Sequence, residues 1–169
     1  MKELLGSVMI IASFAFLGWE QGEKMRRRVV TLGAMERALE RMRRELECRL
    51  IPLKPLMELL GRESEAPVRE LFRCCGEAMG CIEEENFQEV WKNSLSKVIN
   101  IQPEDRALLE TLGSTLGKYD VREQTRSLRL VEETLHEWCI SARREEKRLG
   151  RVYQTAATAF GIALVIFFL

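Results

Sequence analysis

Histidine is nearly missing from this sequence: His136 is the only one among 169 residues. One imidazole removes most schemes in which a histidine activates a nucleophile or relays a proton. A phosphate-cradling glycine loop is missing as well. The nearest approach, Gly113-Ser114-Thr115-Leu116-Gly117-Lys118, has three residues between its glycines where a P-loop needs four, and it follows a helical pattern, not a strand. The five cysteines (Cys48, Cys74, Cys75, Cys81 and Cys139) are odd in number and show no recurring metal-type spacing. His136 and Cys139, three apart on one helix, offer two ligands where a metal needs about four. The chain therefore shows no catalytic, cofactor or metal site. Net charge is zero, from 26 basic and 26 acidic residues, so bulk electrostatics do not suggest nucleic acid as a partner. Strand-like alternation, low-complexity stretches and internal repeats are also lacking, which leaves an all-α fold class.

What is present is a segregation of charge. Residues 4–19 and 152–169 carry none, and only Lys2 and Glu3 lie outside the middle. The segment from Glu20 to Arg151 holds 25 basic and 25 acidic residues, far too many for a bilayer interior. The apolar runs, Leu4 to Trp19 and Val152 to Leu169, are 16 and 18 residues long. As helices they extend roughly 24–27 Å, a little short of a ~30 Å hydrocarbon core, and interfacial ends can supply the rest. Trp19 and Tyr153 stand at the two inner borders, where amphipathic rings favour the headgroup level. The expected organisation is a transmembrane helix over 1–19, a helical domain over 20–151 and a second transmembrane helix over 152–169. A cleaved signal peptide is the alternative for the first run, but Lys2 is its only leading base and no small-x-small site precedes Glu20. Arg26, Arg27 and Arg28 follow the first run, while Arg143, Arg144, Lys147, Arg148 and Arg151 precede the second. Both clusters lie on the domain side, so the positive-inside rule puts the domain in the cytoplasm and both termini across the membrane. Reduced cysteines, acting mostly as small apolar residues, are expected there.

The middle reads as a bundle of about five to six helices. Leu32, Met35, Leu39, Met42, Leu46 and Leu50 alternate spacings of three and four, the seam of one long packed helix. Pro52 and Pro55 end or bend it. A short piece from Leu56 to Leu60 is expected to stop at Gly61, and Ser64 with Pro67 to open the next helix. That helix shows Val68, Leu71, Phe72, Cys75 and Met79 on one face. An acidic turn, Glu83-Glu84-Glu85-Asn86, precedes a helix bearing Phe87, Val90, Trp91, Leu95 and Val98. Pro103 starts another, with Glu104 and Asp105 opposing the helix dipole and Leu108, Leu109, Leu112 and Leu116 as its stripe. Asp120 with Glu123 reads as a capping box for the last helix, whose seam is Val121, Gln124, Leu128, Val131, Leu135, Trp138 and Ala142. In the stretch Leu112-Gly113 to Leu116-Gly117 and Asp120, the first glycine invites a close helix approach and the second a left-handed cap, giving a fixed turn and a candidate docking surface. From Glu58 to Glu89 nine acids face three bases, so the domain has an acidic region remote from its basic ends.

The ordered set of these pieces resembles the stage III sporulation protein AB family of endospore-forming bacteria. The resemblance is carried by Leu4-Leu5-Gly6, Glu45-Leu46-Glu47, Pro52-Leu53, Ala66-Pro67-Val68 with Leu71-Phe72, and Trp91 with Leu95. Its most specific part is Pro103-Glu104-Asp105-Arg106 through Leu112-Gly113, Leu116-Gly117, Asp120 and Gln124, followed by the apolar tail. The sequence departs from the family where an aromatic-Gly and a Thr usually precede the Pro-Leu pair; Cys48, Arg49 and Ile51 occupy that stretch. The resemblance implies a fold similar to the cytoplasmic domain of type II secretion and type IV pilus platform proteins. It also implies a non-enzymatic subunit, in the mother-cell membrane around the forespore, of a transport complex required for endospore formation. The implied partners are a sporulation ATPase of the stage III sporulation protein AA type, other subunits of that complex and membrane lipid; self-association is also compatible. Two other classes remain open on the sequence alone: a membrane-tethered adaptor that localises partners without an ATPase, and a redox or metal enzyme using Cys139 and His136.

Overall fold

The computed structural model describes the backbone of residues 2–80, 87–117 and 120–168, and the side chains of these except 2–19, 21, 150–155 and 157–168. Among the described residues there are six α-helices and no strand. They are α1 (Lys2–Arg49), α2 (Leu53–Glu63), α3 (Ala66–Ala78), α4 (Phe87–Ser96), α5 (Pro103–Thr115) and α6 (Val121–Phe168). The expected acidic turn at Glu83–Asn86, Cys81 and the pair Lys118-Tyr119 fall outside the described residues. The chain divides into two compact units, one made of Met1–Val29 with Ile140–Leu169, the other of Val30–Cys139.

The larger unit is built on the seams that the spacing predicts. On α1, Leu32, Met35, Leu39, Met42 and Leu46 are buried, and on α6 so are Gln124, Leu128, Val131 and Leu135. Burying each large apolar side chain contributes roughly 1.5–3 kcal/mol. Polar side-chain contacts then fix which faces meet. Arg43 Nε lies 3.0 Å from a Glu132 oxygen, Arg129 reaches Glu47 at 3.1 Å, and His136 Nδ1 lies 2.5 Å from Glu36, all between α1 and α6. Arg37 grips Glu65 with two hydrogen bonds of 2.7 and 2.8 Å, and Arg41 pairs with Glu63, tying α1 to the α2–α3 corner. Exposed pairs contribute only about 0–1 kcal/mol each, so burial supplies the stability and the charges select the arrangement.

Three local expectations are corrected. Leu50 does not continue the α1 seam: the helix ends at Arg49, and Leu50 is 65% exposed with φ +50°. Gly61 does not end α2, which runs on to Glu63; a Cβ at Gly61 would sit 3.0 Å from the backbone of Arg73, so its small size lets α3 approach. Ser64 is the last cap of α2, donating its N–H to Leu60 O at 2.9 Å, whereas Glu65 precedes α3. At Gly61 the competing signal is tertiary: close helix packing reads the same as a helix stop when glycine is seen alone.

In the smaller unit, Glu20 pairs with Lys24 at 2.8 Å and Glu23 with Arg27 at 3.0 Å, both one helical turn apart on α1. Among the described residues no helix is long and apolar enough to cross a membrane. The runs 4–19 and 152–168, expected to span, have helical backbone, but apart from Ala156 their side chains lie outside the described residues.

Candidate interaction site

The turn between α5 and α6 is assembled from three helices. Its α5 side begins at Pro103, the first helical position, where a missing N–H costs nothing. The Gln102 N–H donates to the Asp105 carboxylate at 2.8 Å, closing the helix start with a buried aspartate. The next residue works on a different helix. Arg106 donates to the carbonyls of Leu95 and Val98 at 3.2 and 3.3 Å, capping the C-terminal end of α4. One dipeptide thus secures the start of α5 and the end of α4.

Trp91, fully buried on α4, is the hub between these helices. Its Nε1–H donates to Leu109 O at 2.8 Å, so its one polar atom is satisfied. Phe72 and Phe87 flank it with ring centroids 6.1 and 6.0 Å away, tilted by 51° and 34°. Gly113 lies against the indole: a Cβ there would stand 2.7 Å from Trp91 Cδ1 and 3.1 Å from its Cβ and Cγ. Leu112 and Leu116 are buried on either side. The close approach expected at Gly113 is made by Trp91.

Beyond Leu116, Gly117 adopts φ +83°, the left-handed conformation that glycine reaches without strain. A Cβ there would lie 3.1 Å from Leu53 Cδ2, so the turn also rests on the start of α2. Asp120 opens α6 as expected, though by a shorter device than the full capping box. Its Oδ1 accepts from the Val121 N–H at 2.8 Å, and its carbonyl accepts from Glu123 and Gln124 at 2.9 and 3.1 Å. Ser127 Oγ meets Thr115 Oγ1 at 3.4 Å and links the two helices below the turn. Gly117 and Asp120 are exposed, while Leu112, Gly113, Leu116, Trp91 and Gln124 are buried. Of the seven, Gly113 meets Trp91, the Leu116 N–H bonds Leu112 O and the Gln124 N–H bonds Asp120 O, and only Gly117 and Asp120 are exposed.

The remaining reactive groups are placed by packing. Burial pushes the Cys75 thiol up to about 12, so at neutral pH it is a small apolar group in the core. Cys74 is raised by burial and then by its hydrogen bond to Glu70. Arg73 holds the Glu70 carboxyl below its ordinary value. His136 is exposed with Nδ1 on Glu36, while Cys139 is buried. Among the described residues no three His, Cys, Asp or Glu groups are placed to hold a metal. Of the expected border residues, Arg26 and Arg148 are exposed, Arg27 pairs with Glu23 and Arg28 is half-buried; the side chains of Trp19, Arg151 and Tyr153 lie outside the described residues.

Among the described residues the chain is an all-helical bundle with long first and last helices, and α4 and α5 meet closely where Gly113 lies against Trp91. The chain belongs to the stage III sporulation protein AB family, which it matches over residues 3–169. A solved structure of a stage III sporulation protein AB (SpoIIIAB) has a similar fold, with a TM-score of 0.63 at 20% identity, covering 72% of this chain and 98% of that one. No match is found among curated proteins. Family membership associates the chain with sporulation, and the solved structure bears on the fold alone.

Proposed function

We propose that this protein is a non-enzymatic membrane platform subunit of the transport complex that links mother cell and forespore, and that its α5–α6 corner docks a cytoplasmic ATPase. The observation that carries the reading is the match to the stage III sporulation protein AB family over nearly the whole chain. The construction of the corner supports the docking role. Gly117 and Asp120 stand outward on a base fixed by Trp91, Leu112, Gly113 and Leu116, and a force-bearing contact needs such rigid support. The apolar runs 4–19 and 152–169, flanked inward by arginines, support two membrane spans with the middle in the cytoplasm.

The test is co-purification of full-length protein with the complex's ATPase from detergent-solubilised sporulating cells. The wild type should retain the ATPase, and Asp120→Arg should lose it while keeping its helical content. A wild-type protein that never retains the ATPase sinks the docking role. If an ATPase-dead partner leaves this protein's contribution to sporulation intact, the second reading holds, a tethered adaptor that localises proteins without coupling to hydrolysis.

A further inference from the structure

The two units of the chain carry opposite charge. Met1–Val29 with Ile140–Leu169 holds ten basic and five acidic residues, net +5, while Val30–Cys139 holds sixteen and twenty-one, net −5. The neutral total conceals this separation. Within the positive unit the bases divide equally between α1 and α6, and those of α6 fall on one side of the helix. At 3.6 residues per turn, Arg143, Arg144, Lys147 and Arg148 fall within an arc of about 140°, and the register of Arg151 falls inside it. Glu145 and Glu146 fall outside the arc, and so does the buried Ala142.

All four bases are exposed, and none has an ion pair among the described residues. Of the acids of the same unit on α1, the two described ones are occupied: Glu20 by Lys24 at 2.8 Å and Glu23 by Arg27 at 3.0 Å. Among the described residues no carboxylate is paired with the stripe. Its height is also specific. From Arg143 to Arg148 the axis rises about 7.5 Å, comparable to the ~5–7 Å headgroup layer on one side of a hydrocarbon core. The apolar run from Val152 begins immediately beyond. Long flexible Lys and Arg side chains can hold their charges at that level while their stems follow the helix.

We infer that Arg143, Arg144, Lys147 and Arg148 form a binding stripe for anionic phospholipid headgroups, so that the protein collects acidic lipid around α6. This rests on the membrane reading above. It goes beyond topology, because a topological signal needs only the number of bases, whereas a lipid site needs them on one face and free of acid partners. The positive stripe and the bilayer's anionic surface attract within a Debye length, about 8 Å at physiological salt.

The experiment reconstitutes the full chain in phosphatidylcholine bilayers containing traces of spin-labelled phosphatidylglycerol or spin-labelled phosphatidylcholine. Electron paramagnetic resonance then measures how strongly each lipid is held at the protein surface. Phosphatidylglycerol should be favoured about fivefold or more at low salt, with the preference fading toward unity near 0.5 M salt. The variant Arg143→Gln/Arg144→Gln/Lys147→Gln/Arg148→Gln should insert with unchanged helical content yet lose the preference. Glu145→Gln/Glu146→Gln, on the other side of the helix, should keep it. Equal association of the two lipids with inserted wild-type protein overturns the inference, leaves the membrane reading standing and assigns the stripe to an acidic protein partner. A quadruple variant that keeps the wild-type preference overturns it too. A chain that does not enter the bilayer at all overturns the membrane reading and the lipid site together.

Discussion

Gly113 and Gly117 are four residues apart, and one added carbon meets a different obstacle at each. At Gly113 the carbon would stand 2.7 Å from Cδ1 of a fully buried Trp91 that is held by its own hydrogen bond. Alanine gains about 1 kcal/mol in helix propensity, and overpacking a fixed core costs ~1–3 kcal/mol, so Gly113→Ala should lower stability by up to ~2 kcal/mol in chemical unfolding and shift the Trp fluorescence. At Gly117 the obstacle is the backbone: with φ +83°, Gly117→Ala should cost ~1–2 kcal/mol without perturbing Trp91. Gly22, with nothing within 4 Å of its added Cβ, is the control and should be neutral or slightly stabilised by alanine. Leu50 is the reverse case, a leucine in the left-handed region just past α1 and largely exposed. Leu50→Asn should raise stability by up to ~1 kcal/mol, read as a higher unfolding midpoint. That strain sits between Arg49, the last residue of α1, and Ile51. Periodicity could not reveal it, because a leucine one step beyond a seam of leucines looks like another seam position.

Among the elements, the seams were readable because helix burial repeats with a period that the sequence displays directly. Leu32 to Leu46 on α1, Phe87 to Val98 around α4 and Leu128 to Leu135 on α6 are buried as spaced. Pairings across elements were not readable. Arg106 capping α4, Gly61 admitting α3 and Arg43 meeting Glu132 each depend on residues distant in sequence. Near Trp138, Cys139 takes the buried place, since the true helical period drifts from a strict alternation of three and four. The α1–α6 pairing has a consequence for pH. Burial raises the Glu132 carboxyl above its ordinary value, more than Arg43 lowers it, while pairing with Glu132 raises Arg43. A carboxyl raised on folding binds its proton more tightly in the native state. Its favourable contribution is complete below the unfolded-state value and is lost as pH rises through the folded-state value. Relative to Glu132→Gln, the wild type should therefore lose stability as pH rises above the ordinary carboxylate value of 4.5. The difference between the two stability curves isolates this group, because Arg43 stays charged throughout. A flat difference would show that Arg43 fully compensates the burial.

At the scale of the whole molecule, the membrane reading makes a demand on sidedness that one exposed thiol can check. Cys48, at the end of α1, is exposed; Cys75 is buried with a thiol pushed up to about 12, so it should resist maleimide in the folded protein. Replacing Cys74 and Cys81 with Ser leaves Cys48 as the reporter for the middle of the chain, and Leu169→Cys supplies one for the end. The protein is produced in a bacterial membrane and prepared as sealed right-side-out vesicles. An impermeant maleimide should then reach the thiol of Leu169→Cys and spare Cys48 until the vesicles are opened. The arginines on the inner side of both apolar runs require this order, since bases beside a span stay in the cytoplasm. If Cys48 is labelled from outside, the middle unit faces away from any cytoplasmic ATPase and the docking proposal falls with the topology. If neither thiol is labelled until opening, the second run does not cross, and the chain can be held at the bilayer only by its first run or by its surface. Only the expected order leaves the −5 unit in the cytoplasm and the +5 unit at the bilayer, beside the anionic surface that its bases and apolar ends fit.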